Sequence, residues 1–184
     1  MKRGLMDVLC SKTGRFAQSF IQRWNAFRHG SWISLGAVLE IEPGGMLTIG
    51  RGVRIIRGSL VTVQKGACLV LEDGVWIGPY NVIYCAEHIH IGSKTRVSHF
   101  CSIVDNNYDI RADGDYFAAP KKTSGIRIGC SSWLGAGSTV LRGVNIGDHC
   151  VLGANTLLKE GTLPSGTLCA RASDESRYSR ISTD

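Results

Sequence analysis

Between residues 128 and 158 an aliphatic side chain falls at every sixth position: Ile128, Leu134, Val140, Ile146, Leu152 and Leu158. Five consecutive steps of six match neither the 3.6-residue period of a helix nor the two-residue alternation of a strand. The fifth residue of each hexad is small or β-branched as well: Ser132, Ser138, Val144, Cys150, Thr156 and Thr162. Shorter runs follow the same rule upstream, as Leu35, Ile41, Leu47, Val53, as Ile77, Ile83 and as Ile91, Val97, Ile103, with the register slipping between them. A chain patterned this way is predicted to wind as a solenoid of short strands and tight corners. The large residue of each hexad points into a narrow interior, with the small fifth residue beside it. Glycine, 23 of 184 residues, recurs just after the aliphatic residue, as in Ile77-Gly78, Ile128-Gly129 and Ile146-Gly147. It serves the corners and argues against a mostly helical chain.

The net charge of +6 is unevenly spread. Residues 1–30 carry Lys2, Arg3, Lys12, Arg15, Arg23 and Arg28 against Asp7 alone, whereas residues 31–184 are nearly neutral. A nearly neutral body excludes a diffuse basic surface for nucleic acid. Within the basic segment Leu5, Leu9, Phe16, Phe20, Trp24 and Phe27 fall along one stripe, which predicts an amphipathic helix. Two readings stand for it: a cap on the open end of the solenoid, or an interfacial helix on an anionic membrane surface. Lys12, Arg15 and Arg23 interrupt any signal-peptide core, and no stretch approaches a bilayer span. Seven cysteines show neither a CxxC pair nor zinc-ligand spacing, which implies reduced thiols in the cytoplasm, at the inner face of the membrane on the second reading. Cys101 and Cys150 occupy fifth positions and read as packing residues.

The segments Trp133-Leu-Gly-Ala136, Val144-Asn-Ile-Gly147, Val151-Leu-Gly-Ala-Asn155 and Leu157-Leu-Lys-Glu-Gly-Thr-Leu-Pro164 resemble the hexapeptide-repeat acyltransferases, and within them the sugar O-acetyltransferase branch. The resemblance covers roughly residues 35–168. It implies an all-β fold, a left-handed parallel β-helix of three hexads per coil. Here that fold follows an N-terminal amphipathic α-helical segment and carries one long inserted loop. The expected organisation is 1–30 helical, 31–168 β-helix with an insert over 104–125, and 169–184 a polar tail. The resemblance further implies a homotrimer with acetyl-CoA bound outside the coils, between subunits, and no metal. On that basis Gly135-Ala136 and Gly153-Ala154, 18 residues apart, stack at one corner where small residues admit a thin pantetheine arm. Lys159 matches the position near the adenosine phosphates, where a compact positive charge is useful. Trp133 is expected at a subunit interface or cofactor wall, with the interface preferred. Beyond the last coil Arg171-Ala-Ser173 stands where the family continues with a Gly-x-Pro turn, so the family's contacts do not carry over there, and Arg171 stands only as a candidate phosphate contact.

Between Ile103 and Ile126 the hexads stop. Long irregular excursions from a regular scaffold tend to carry function. In the resembled branch a loop here holds the acceptor site, with a lead-in such as Asp-His-Asn-His or Asp-x-Asp-x-His whose His acts as general base. This chain reads Asp105-Asn106-Asn107-Tyr108-Asp109, with Asn106 and Asp109 where histidines are expected. An amide is no base near neutrality. Asp105 or Asp109 could serve if burial raised its proton affinity. His99 is the other candidate, placed by the hexads at a different corner from Asp105, so that it reaches the site only across a subunit boundary or after a register change. His88 and His90 have similar standing.

The leading expectation is therefore transfer of an acetyl or similar acyl group from acyl-CoA to a sugar hydroxyl in polysaccharide or glycoconjugate biosynthesis. The alternative is a trimeric β-helix binding or assembly protein that has lost its histidine base. Metal-dependent hydration on the same fold requires a His-x4-His element that His88, His90 and His99 do not form.

Overall fold

The structure, a computed structural model, describes residues 24, 26–27, 29–109, 119–172 and 175–180, with 171–172 and 175–180 described by their backbone. The expected helix over 1–30 and part of the insert, 110–118, lie mostly or wholly outside these residues. Of the helix, Trp24, Ala26 and Phe27 are helical, and the amides of His29, Gly30 and Ser31 close its last turn onto the carbonyls of Ala26 and Phe27. Ala26 is buried against the core, while Trp24 and Phe27 are exposed.

The remainder is built almost entirely of short strands. In chain order the first coil holds β1 (Trp32–Ile33), β2 (Val38–Ile41) and β3 (Met46–Ile49); the second β4 (Arg54–Ile55), β5 (Leu60–Val63) and β6 (Cys68–Leu71). The third holds β7 (Trp76–Ile77), β8 (Val82–Cys85) and β9 (His88–Ile91). In the fourth, β10 (Arg96–Val97) and β11 (Ser102–Val104) are followed by a hairpin, β12 (Asn106–Tyr108) and β13 (Lys121–Thr123), before β14 (Ile126–Ile128). The fifth holds β15 (Trp133–Leu134), β16 (Thr139–Leu141) and β17 (Val144–Ile146); the sixth β18 (Val151–Leu152), β19 (Leu157–Leu158) and β20 (Gly161–Leu163). β21 (Thr167–Ala172) adds a further parallel rung and β22 (Glu175–Arg180) folds back on it antiparallel.

Apart from β12, β13 and β22, each strand pairs in parallel with its equivalent one coil away, which gives three sheets around one interior. Sheet one contains β1, β4, β7, β10, β15, β18, β21 and β22; sheet two β2, β5, β8, β11, β16 and β19; sheet three β3, β6, β9, β14, β17 and β20. The chain is a parallel β-helix, as the hexads predict. Inside sheet one, Ile33, Ile55, Ile77, Val97, Leu134, Leu152 and Cys169 stack in a single buried column. Each such aliphatic residue contributes on the order of 1.5–3 kcal/mol of transfer free energy. The small fifth residues satisfy the corners between sheets three and one and between one and two. Ser132 Oγ donates to the Gly147 carbonyl at 3.1 Å and accepts the Cys150 amide at 3.1 Å, and Ser138 Oγ donates to the Gly153 carbonyl at 3.0 Å.

Three expectations need correction. The coil is 18 residues only late in the chain, from Leu134 to Leu152; it is 22 from Ile33 to Ile55 and again to Ile77. Strands in sheets two and three are four residues long in the early coils, each with two inward side chains, so a single aliphatic residue per hexad understates the core. Leu35 consequently lies outside it, 91% exposed at a corner, and Ile33, Leu39 and Ile41 fill the interior instead. At the other end Thr162 is exposed and Leu163 buried, because the corner Lys159–Glu160 is one residue short for the hexad register.

Candidate active site

Three corners run the length of the solenoid. The first, between sheets one and two, stacks Pro79, His99, Ala136 and Ala154: the amide of Phe100 donates to the Pro79 carbonyl at 3.3 Å, that of Gly137 to His99 at 3.0 Å, and that of Asn155 to Ala136 at 2.7 Å. His99 thus shares a corner with the two Gly-Ala pairs, one coil before Ala136. Its exposed imidazole meets the Phe100 ring edge-on at 5.4 Å, and Phe100 stacks on Tyr80, also at 5.4 Å. Tyr80 and Phe100 both hold φ of 58°, a left-handed conformation costing roughly 1–2 kcal/mol for a side chain of this kind. Trp133, 52% exposed, lies one strand away and donates its Nε1 hydrogen to Ser98 Oγ at 2.8 Å.

The two glycines of the Gly-Ala pairs have a reason of their own. A Cβ on Gly135 would sit 2.6 Å from the Leu152 carbonyl oxygen and 2.7 Å from the Ala154 nitrogen, and one on Gly153 would sit 3.0 Å from Cβ of Ala170. Coil stacking requires them whether or not a ligand is present. Ala136, half-buried, and Ala154, exposed, add only methyl groups to the corner, with the exposed Asn155 side chain lying beside them over Gly137.

The second corner, between sheets two and three, carries the insert. Asp105 is fully buried and both its carboxylate oxygens are occupied: the Ala86 amide donates to Oδ1 at 2.7 Å and the Glu87 amide to Oδ2 at 2.9 Å. Its carbonyl accepts the Ser124 amide at 3.0 Å, and the Ser124 carbonyl accepts the Gly143 amide at 2.9 Å. The two ends of the insert are thus joined to each other and stitched to the coils on either side. Beyond this neck β12 and β13 pair Asn106 with Thr123 and Tyr108 with Lys121. Asn106 is half-buried beside Asp105, and Asp109 is ion-paired with Lys122 at 2.8 Å. Lys121 donates to Gln64 Oε1 at 3.2 Å and lies over the rings of Tyr84 and Tyr108 at 5.6 and 5.9 Å, which lays the hairpin back along the earlier coils. Burial, reinforced by the Asp105 charge, pushes the neighbouring Cys85 thiol up to about 12.

His88 is exposed at the foot of this corner, directly under Gly125, where any Cβ would touch its backbone. His90 faces outward from sheet three and is committed elsewhere, its Nε2 2.7 Å from Glu72 Oε1. Lys159, exposed, follows β19 at the second corner and not at the Gly-Ala corner. Arg171 lies on β21 opposite Ser176 by its backbone. Sequence reasoning did not single out Lys122, Lys121 or Tyr84; their meeting depends on the hairpin's register, which no periodicity encodes. Among the described residues no group of three or more His, Cys, Asp or Glu side chains is arranged to hold a metal ion.

Between these two corners lies the outer surface of sheet two, where Val38, Leu60, Val82, Val104, Leu141 and Leu157, all exposed or half-buried, are interspersed with Glu40, Thr62, Tyr84, Ser102 and Thr139. Exposed aliphatic residues recurring along one face are expected where a further layer covers them.

The family described as bacterial transferase hexapeptide (six repeats) matches residues 125–160. A probable acetyltransferase of Mycobacterium tuberculosis is 33% identical over 148 residues, 76% of this chain and 47% of the relative, so the chain spans about half that protein's length. WbbJ of Escherichia coli, whose name places it in lipopolysaccharide biosynthesis as an O-acetyl transferase, is 30% identical over 139 residues, 71% of this chain and 67% of the relative. Among solved structures, AntD, an N-acyltransferase from Bacillus cereus in complex with dTDP and coenzyme A, superposes with a TM-score of 0.69 at 20% identity, over 84% of each chain. PerB from Caulobacter crescentus, in complex with CoA and GDP-perosamine, gives 0.56 at 19% identity over 79% of this chain and 56% of PerB. These two likenesses speak to the fold. Together with the sequence matches, the repeat and its coils assign the chain to the hexapeptide-repeat acyltransferases.

Proposed function

We propose that the chain transfers an acetyl or similar acyl group from acyl-CoA to a hydroxyl of a sugar, in polysaccharide or glycoconjugate biosynthesis, as a homotrimer with its sites between subunits. The observation that carries this reading is the placement of the two chemically distinctive corners on opposite edges of the partly apolar outer face of sheet two. Packing three prisms by that face around a three-fold axis sets the first corner of each subunit against the second corner of its neighbour. His99 and the Gly-Ala strip of one subunit then face the hairpin of the next. The boundary that separates His99 from Asp105 within one chain is closed by assembly.

In this arrangement Trp133, Gly135, Ala136, Gly153 and Ala154 line the path of the pantetheine arm, with Lys159 and Arg171 toward the phosphates. The bound thioester supplies an activated acyl carbon. His99 takes the proton of the attacking sugar hydroxyl on a ring nitrogen as the new C–O bond forms, and returns it to the departing sulfur. Asn106 and Asp109 on the hairpin hold the acceptor's remaining hydroxyls. Asp105, with both oxygens engaged by backbone amides, holds the hairpin at its root.

The test is transfer of labelled acetyl from acetyl-CoA to a panel of sugars, sugar nucleotides and their amino-sugar counterparts. An ester product is expected. An amide product moves the acceptor to an amine, and absence of both transfer and CoA binding overturns the reading. His99→Ala is expected to lower kcat about 100-fold or more with KM for acetyl-CoA unchanged, while His88→Ala stays near parent. The basic segment 1–30 is proposed to hold the trimer against an anionic membrane surface. Vesicle flotation should capture the full chain and lose it on deletion of residues 1–30, and equal flotation of both forms removes the idea.

A further inference from the structure

Sheet one has an outer column of which the transfer site uses only the last member, Trp133. Its register runs Trp32, Arg54, Trp76, Arg96, Trp133, one residue per coil, so three indoles alternate with two guanidinium groups along one face. Trp32 is 59% exposed, Arg54 and Arg96 are exposed, and Trp76 is half-buried between them. Adjacent rungs of a sheet lie about 4.8 Å apart, so the column is about 19 Å long and its two cations are about 10 Å apart.

Large exposed aromatic rings at every second rung are unusual on a surface with no ligand to cover them. The two cations are equally unserved: among the described residues neither Arg54 nor Arg96 makes an ion pair or side-chain hydrogen bond. Asp73, the acidic residue at the adjoining corner, is occupied by Arg51, whose backbone and guanidinium hydrogen bonds hold its carboxyl below the usual carboxylate range. Arg54, Trp76 and Arg96 line a cavity of about 300 Å³ whose rim is opened by Gly52 and Gly74, both at positive φ. That volume is at the lower end for a small-molecule site, and it opens onto the column above and below.

We propose that this column binds an extended anionic oligosaccharide, with pyranose rings on the indoles and acidic groups on the guanidinium forks. Guanidinium pairs bidentately with carboxylate or phosphate, and indoles offer flat apolar faces to rings. The spacing selects a ligand with roughly one negative charge per two rings. A single-stranded nucleic acid carries a phosphate on every nucleotide, and the column itself places indoles, not cations, opposite the intervening ones. The proposal concerns binding and holds whether or not this ligand is acylated.

Titration of the full chain with hyaluronan hexasaccharide, which bears a carboxylate on alternate sugars, followed by tryptophan fluorescence and calorimetry, tests it. Neutral chitohexaose and a dT12 oligonucleotide are the comparison arms. Expected are saturable quenching by hyaluronan, at least about tenfold weaker binding of chitohexaose, and about tenfold loss of hyaluronan affinity in Arg54→Gln and in Trp32→Ala. Sedimentation and unfolding of both variants should match the parent. Equal affinity for the neutral hexamer, tighter binding of dT12, no binding at millimolar ligand, or parent-like affinity in both variants overturns the proposal. So does loss of the assembly in Arg54→Gln, which would make the column a contact between copies.

Discussion

Asp105 gives the sharpest separation between a chemical role and a structural one. Its carboxylate is fully buried and accepts two backbone amides at 2.7 and 2.9 Å, while its carbonyl ties the far end of the insert through Ser124. A hydrogen bond to a charged acceptor is worth about 1.5–3 kcal/mol net, so Asp105→Ala should cost about 3–6 kcal/mol and leave the Ala86 and Glu87 amides without acceptors. For a chain of this length each kcal/mol moves Tm by roughly 2–4 °C, so a fall of about 6–24 °C is expected. Asp105→Asn keeps one acceptor but turns an NH2 toward the second amide, donor against donor, and should recover less than half of the loss. Two assays read this together: thermal unfolding, and hydrogen exchange at Ala86 and Glu87, whose protection should collapse in both variants. A general base would behave oppositely. If Asp105→Asn leaves Tm and both amides as in the parent while kcat falls a hundredfold, the carboxylate acts on substrate and the structural reasoning is refuted.

Other consequences are equally open to measurement. Gly135→Ala drives a Cβ into two backbone atoms of the next coil and should cost about 3 kcal/mol, against about 1 kcal/mol for Gly52→Ala, where only positive φ opposes the change; urea midpoints falling in the reverse order would contradict the stacking argument. Cys85 and Cys101 should resist alkylation at pH 8 in the native protein while half-buried Cys68 and Cys130 react, because burial raises the first two thiols; mass-mapped labelling of Cys85 at the rate of Cys130 would disprove it. The folded Cys85 value of about 12 lies above its ordinary 9.0, so the stability it lends is complete below about pH 9 and drains away as pH climbs toward 12, visible as a falling unfolding midpoint over that window.

The late coils were readable because one residue per corner and one per strand repeat without interruption: Ile128, Leu134, Val140, Ile146 and Leu152 are all fully buried where the hexads put them. The early coils were less so. There the strands of sheets two and three lengthen to four residues, two side chains point inward on each, and a rule of six loses phase, which is how Leu35 was drawn inside. Of the site, the stacking of Ala136 on Ala154 follows from their separation by one coil, and the shared corner with His99 follows from hydrogen bonds that jump across the insert from 99 to 137. Asp105 as an anchor was hidden, since its partners are backbone amides 18 and 19 residues earlier and leave no side-chain signature. The aromatic–arginine column escaped notice for a related reason. Its members are 20, 22 or 37 residues apart, and only the pairing of strands reveals them as neighbours.

The neck of the insert separates two kinds of evolutionary change. Because Asp105 and Ser124 meet across its base and each is fastened to a neighbouring coil, whatever is spliced between them leaves the solenoid's register untouched. The entropic cost of a longer or shorter excursion grows only logarithmically with its length. The scaffold therefore works as a socket, in which one set of coils can accept interchangeable inserted segments. Grafting the 106–123 segment of a relative between Asp105 and Ser124 would exchange the insert while the coils on either side keep their register.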